Sequence, residues 1–178
     1  IYFNVAVFAV DDYYNLVHSG QLVSIYTTDP YDTHPSPQAL NLGYANFTNV
    51  AMVTSSTWTI RASASGVQDA ISSDVFLQPN VPTRLAIYAP GETPEPGYTA
   101  GRGRTGTPIQ QTAGAYFDLT VRACDAYYNL TTASPTVTVL IDDWDIDYEV
   151  FRISRTKELI NGTTTFTVRL AAAKVTVA

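Results

Sequence analysis

One pattern is written twice along this chain. Residues 1–16 read IYFNVAVFAVDDYYNL and residues 115–130 read AYFDLTVRACDAYYNL. Tyr2, Phe3, Val7, Ala9, Asp11, Tyr13, Tyr14, Asn15 and Leu16 recur as Tyr116, Phe117, Val121, Ala123, Asp125, Tyr127, Tyr128, Asn129 and Leu130, nine identities in sixteen positions at a constant offset of 114. The register runs on without a gap to Val23/Val137 and Asp29/Asp143. Solenoid repeats have periods of about 20–50 residues. A period of 114 is instead the size of a whole small domain, so the chain is expected to hold one domain plan in two copies.

Each copy reads as strand, turn, strand. Phe117, Leu119, Val121 and Ala123 alternate with Asp118, Thr120 and Arg122, the period-two pattern of a strand with one buried face. Residues 125–129 supply turn chemistry, and Val137, Val139 and Ile141 alternate again. In the first copy residues 47–52 and 57–62 are expected strands, with Trp58, Ile60 and Ala62 inward; residues 163–170 and 174–178 are their counterparts. Residues 69–77 give a last strand, and Pro79 and Pro82 bracket a linker. Residues 84–89 open the second domain with Leu85 and Ile87 inward, and the glycine-rich stretch 90–114 is a long loop to the next strand. Many short strands with turn signals indicate a sandwich, and about 100 residues is one immunoglobulin-like domain. The expected fold is all-β: two tandem immunoglobulin-like β-sandwich domains, antiparallel and Greek-key, with boundaries at 1–80 and 81–178.

Composition agrees. Threonine, tyrosine and valine, abundant here, suit a pleated half-buried surface, while charged residues are only 15% against the usual ~25%. The net charge of -6 with no basic stripe argues against nucleic-acid binding. The single cysteine, Cys124, precludes an intrachain disulfide and reads as a half-exposed thiol in the outward register. No apolar run approaches the ~20 residues of a membrane span. The sequence starts without Met and without a signal peptide, and reads as a mature or partial product.

The residues Val7, Ala9, Asp11 and Asn15, with Val121, Ala123, Asp125 and Asn129, resemble the strand-turn pattern of bacterial immunoglobulin-like domains of the invasin type. A closer likeness is to a repeat class of large bacterial surface and secreted proteins. It is carried by Pro90-Gly91-Glu92-Thr93, Pro96-Gly97, Gly106-Thr107-Pro108, Gln111-Thr112-Ala113-Gly114, Phe117, Val121, Asp125 and Asn129. Tyr14 and Tyr128 depart from it, standing where relatives often have glycine or tryptophan. The resemblance implies a fold; such domains serve as stalks, adhesins and fibre subunits alike. Aligned on it, the first domain is expected to lack its first strand and the second its last. Either the chain is a piece of a longer array, or neighbouring subunits complete each other by strand addition. On the outward face of the first copy, Ala6, Phe8 and Val10 form an apolar stripe. Phe8 and Val10 are therefore candidate interface residues, unless they are ordinary exposed hydrophobes.

The chemistry on offer is modest. Calcium is the one cofactor expectation, because hard cations take several oxygen ligands. Its candidate ligands are Asp125, Asn129, Asp142, Asp143, Asp145, Asp11, Asn15 and Asp29, with Asp12, Asp32 and Asp147 nearby. Glu92 could lie at the far end of the domain or fold back. The competing reading is that Asp125 and Asn129 cap their own turn, which is their use in invasin-type domains. Asn46, Asn129 and Asn161 head Asn-x-Thr glycosylation sequons, a motif a threonine-rich chain also produces by chance. The pairs Tyr13-Tyr14 and Tyr127-Tyr128 either stack on sugars or pack over the sandwich end. His18 and His34 have no nucleophile or orienting carboxylate at a recognisable spacing, and GRGRTG at 101–106 lacks the Walker lysine, so no enzyme is expected.

Sequence thus points to a structural segment of an extracellular or cell-surface fibre or stalk. Its partners would be other copies of itself or adjacent immunoglobulin-like domains, with no nucleic acid, no membrane span, and glycans open. The alternative is a surface adhesin or carbohydrate-binding module of a larger secreted protein; an accessory domain of a secreted enzyme is the third reading.

Overall fold

The structure is a computed structural model that describes residues 2–140 and 154–170. Among the described residues every element is a strand, every strand pair is antiparallel, and no helix is long and apolar enough to cross a membrane. The chain separates into two compact units, Ile1–Gln78 and Pro79–Ala178.

In the first unit β1 (Phe3–Phe8) pairs with β4 (Tyr44–Val50). β2 (Leu22–Thr27), β3 (Gln38–Ala39), β6 (Ile60–Ala64) and β7 (Ala70–Ile71) form a sheet in the order β3-β2-β6-β7. β5 (Thr57–Trp58) pairs with β8 (Val75–Phe76). Alternation decides which side chains go inward: Ala45 and Phe47 are buried while Tyr44 and Asn46 are exposed. The core is Val23, Ile25, Leu40, Ala45, Phe47 and Val50, with Phe3, Val5 and Val7 packed against it. Burying a side chain such as Phe47 stabilises by roughly 2–3 kcal/mol before entropy is counted.

In the second unit β12 (Tyr116–Cys124) lies between β15 (Thr163–Arg169) and β9 (Arg84–Tyr88). β13 (Thr136–Thr138) pairs with β14 (Thr156–Glu158). β10 (Glu92–Pro94) and β11 (Arg104–Gly106) make a hairpin inside the glycine-rich stretch. The core is Val121, Ala123, Val137, Val139, Leu159, Phe166 and Val168.

The duplication in sequence is a duplication in packing. Val5 faces Phe47 across β1 and β4, and Leu119 faces Phe166 across β12 and β15. Val23/Val137, Ile25/Val139, Leu40/Leu159 and Phe47/Phe166 occupy matching places in the two cores. One irregularity separates the copies. In the first, the register shifts between Phe3/Val5 and their partners Val50/Phe47, with Asn49 at φ 63°; the second runs Phe117/Val168 and Leu119/Phe166 evenly. The extra residue is a β-bulge, and it keeps Val50, like Val168, in the core.

Several sequence expectations are corrected. Residues 57–62 are two strands broken at Thr59, which donates its N–H to the Thr28 hydroxyl while its carbonyl takes the Thr28 N–H. Residues 69–77 are likewise two short strands, β7 and β8. Leu85 and Ile87 pair with Ala123 and Val121 but stay exposed, whereas Ala86 and Tyr88 on the opposite face are buried. Cys124 is buried, not half-exposed. The last two have one cause. Residues 97–104 fold over the outer face of β9 and β12: the Tyr88 hydroxyl donates to Gly103 O at 3.2 Å, and Arg104 Nη1 donates to Ile87 O at 2.9 Å. β1, by contrast, pairs with β4 and with no other strand among the described residues.

Candidate functional site

The feature repeated most faithfully is the turn after β1 and after β12. In each, an aspartate begins a five-residue corner that ends on asparagine. Asp11 N donates to Asn15 O and Asp125 N to Asn129 O, both at 3.0 Å. Tyr14 and Tyr128 take the left-handed conformation, φ 62° and 64°. That region favours glycine, and it is where the sequence departs from its resemblance. Bridges Val10↔Leu16 and Cys124↔Leu130 close both corners. The short aspartate side chain reaches the backbone N–H groups two and four residues on, the geometry that makes this residue a turn former.

The two carboxylates differ in their surroundings. Asp125 is buried and accepts four N–H groups: Tyr127 N at 2.8 Å and Asn129 N at 3.0 Å on Oδ1, and Asn129 Nδ2 at 2.9 Å and Asn80 N at 3.0 Å on Oδ2. A carboxylate offers about four lone-pair sites, so all of them face protein donors. Asp11 is exposed and accepts Tyr13 N, Asn15 N and Asn15 Nδ2. The Asn15 side-chain amide and N–H hold the Asp11 carboxyl below its ordinary pKa.

The other candidates fall as follows. Asp29 is buried under Tyr31 N, Thr54 Oγ1, Val53 N and Thr54 N at 2.6–3.0 Å, and so ties its own loop to residues 53–54. Asp142, Asp143 and Asp145, with Asp147, lie outside the described residues. No group of three or more His, Cys, Asp or Glu stands together among the described residues. Each described calcium candidate is bonded within its own unit: Asp11 to Asn15, Asp125 to Asn129, and Asp29 to residues 31, 53 and 54. Glu92 folds back, accepting Ala89 N at 2.8 Å and facing Arg104 Nε at 3.4 Å. Asn46 and Asn161 are exposed; Asn129 is buried with its amide on Asp125, so that sequon is closed in the folded chain. His34 pairs with Asp32 at 3.1 Å, and His18 is exposed.

The tyrosine pairs part company. Tyr13 and Tyr14 are both exposed, while Tyr128 packs beneath Arg84, whose Cζ lies 5.0 Å from the ring centroid. Burial pushes the Cys124 thiol up to about 11 and the Tyr88 phenol up to about 12. Sequence reasoning missed the Asn80 N–H on Asp125 and the loop over Tyr88. The first had no signal, because a backbone donor from any residue would serve. The second was signalled by the glycines: a Cβ on Gly103 would meet the Tyr128 ring.

No family model matches the chain, and no curated protein and no solved structure matches it either. Function must therefore be argued from the two corners and the surfaces beside them.

Proposed function

We propose that this chain is a structural segment of an extracellular or cell-surface fibre or stalk built from repeated immunoglobulin-like sandwich domains with Greek-key connections. Its domains would associate end to end with further copies. The observation that supports this is the duplicated aspartate corner seated on a duplicated core in two successive units. Selection on a catalytic or recognition surface would let two copies diverge around a single site. Here the shared residues include ones that hold each unit together: the Asp–Asn corner, and Val7/Val121 and Ala9/Ala123 at the two cores. Strand complementation and calcium-stiffened junctions are two ways such units could be joined. The calcium part rests on Asp142, Asp143 and Asp145, since Asp29 and Asp125 direct their lone pairs at protein donors; a melting temperature indifferent to EDTA would end it. The test of the main reading is electron microscopy of the native material. Strings of regularly spaced domains are expected, and isolated compact particles would overturn it.

A second reading, a surface adhesin or carbohydrate-binding module, is favoured by one observation. Tyr13 and Tyr14 are 85% and 87% exposed, an aromatic platform present on one unit only. Loss of glycan binding in a Tyr13→Ala/Tyr14→Ala chain would support it, and a chain with no glycan binding to lose would remove it.

A further inference from the structure

The sheet β3-β2-β6-β7 of the first unit carries a polar cleft away from both aspartate corners. Residues 24–26 of β2 and the segment 34–37 enclose about 310 Å³, at the small end of the roughly 300–1,000 Å³ of small-molecule sites. The wall 34–37 is fixed from behind. Asp29 ties the start of its loop to residues 53–54, and Thr33 and Ala51 exchange two backbone bonds at 2.7 and 2.8 Å. His34 turns Nδ1 to Asp32, which leaves Nε2 for another partner.

The floor of the cleft is an interrupted ladder. Thr28 N donates to Thr59 O, so by strand alternation Tyr26 and Ser24 turn their peptide groups to β6, and Ile25 turns its own the other way. On that flank Leu40 N donates to Gln21 O, and Val23 pairs with Gln38. In this register Ser36 would be the next partner, facing Ile25. It is boxed between Pro35 and Pro37, whose rings fix the backbone and carry no N–H, and the ladder stops at Val23. The Ile25 side chain is in the core. What Ile25 gives the cleft is therefore one N–H and one C=O, neither bonded to the backbone of a described residue. A buried peptide edge left unpaired costs free energy that a ligand with the matching groups recovers.

We propose that this cleft binds an N-acetylated amino sugar. An acetamido group carries one acceptor and one donor, the complement of the Ile25 pair. The hydroxyls of Ser24, Ser36 and Tyr26 make no hydrogen bond among the described residues. With His34 Nε2 they supply partners for the hydroxyls of a sugar ring. The aromatic wall is set in advance. Tyr26 stands 5.8 Å from the His34 ring, and Arg61, tied to Asp69 at 3.4 Å, lies with Cζ 5.2 Å over the Tyr26 ring. Little ordering is left to be done on binding, which favours affinity. A peptide strand fits less well. Strand addition draws on a row of open backbone groups, whereas the cleft offers Ile25 alone, with Val23 already paired and prolines opposite. Neither the fibre reading nor the Tyr13–Tyr14 platform is needed for this site.

The test titrates the whole chain with N-acetylglucosamine and N-acetylgalactosamine while backbone amide NMR shifts are followed. Glucose, galactose and the blocked amino acid N-acetylglycine N-methylamide are the comparison ligands. At least one amino sugar should bind with the Ile25 amide among the most shifted. Its parent sugar and the blocked amino acid should bind about tenfold more weakly or worse. His34→Ala and Ser36→Ala, both at exposed positions, should each weaken the amino sugar several-fold while the remaining amide spectrum reports an intact fold. Tyr13→Ala/Tyr14→Ala should leave its affinity unchanged. An Ile25 amide indifferent to both amino sugars, or a parent sugar bound as tightly, would overturn the proposal. A blocked amino acid bound as tightly would assign the cleft to peptides instead. If the Tyr13→Ala/Tyr14→Ala chain alone loses the sugar, the cleft is excluded and the platform reading stands. Microscopy of the native material decides the fibre reading separately in every case.

Discussion

A carboxylate that gathers backbone N–H groups is only as important as those groups are dry. Asp125 and Asp11 make nearly the same bonds, but Asp125 does so in a buried corner. Asp125→Ala would leave four N–H groups without their acceptor, the two of Asn129 in a buried setting, and hydrogen bonds to a charged acceptor are worth roughly 1.5–3 kcal/mol each without being additive. The second unit should lose about 3 kcal/mol or more, read by urea denaturation. Asp11→Ala should cost the first unit clearly less, because its donors return to solvent. Acid should follow the same logic. The Asp11 pKa is depressed in the folded state, so its contribution is present above its ordinary value and is lost as the pH falls below that value. Alkali works on Cys124 with the opposite sign. Burial raises its pKa to about 11, so the unfolded chain gives up this proton first. Stability of the second unit should decline as the pH climbs from about 9 toward 11, and Cys124→Ala should flatten that decline in a pH series of denaturation curves.

At the scale of elements, the hairpin leading into β4 and into β15 shows how one plan constrains both copies. Gly43 and Gly162 sit at φ 89° and 78°, and Ala9 N and Ala123 N each donate to that glycine's carbonyl at 2.8 Å. A Cβ on Gly43 would run into the Val17 carbonyl, and one on Gly162 into the Thr131 carbonyl. Gly162→Ala should therefore cost about 2 kcal/mol or more. Gly114→Ala has φ 80° but nothing near its Cβ, and should cost only about 1 kcal/mol. Thermal melts of the two variants check the difference. The strands themselves were legible because their alternation survives in sequence: Phe117, Leu119 and Val121 faced inward as read. The face of β9 was not legible. Leu85 and Ile87 look like core residues, yet Ala86 and Tyr88 are the buried pair, because the cover comes from a loop whose path no local pattern encodes. The breaks at Thr59 and between β7 and β8 were hidden for a similar reason: the partner strand changes there while the side-chain types do not. Of the site, the aspartate turns were visible as turn chemistry, and the difference in burial between the two copies was not.

For the molecule as a whole, two separate cores mean two separate stabilities. Phe47 and Phe166 are each 0% exposed, each at the centre of its own cluster. Phe47→Ala should remove about 3–5 kcal/mol from the first unit, while amides of β12 and β15 keep their exchange protection. Phe166→Ala should do the converse. A single transition in which both variants destabilise every amide equally would contradict the division into units.

The contrast between β12 and β1 also bears on load. A strand zipped on both flanks can leave only by rupturing two ladders at once, whereas one zipped on a single flank slips free after breaking one. Under tension, then, β12 should stay seated in the second unit until its ladders to β9 and to β15 give way together.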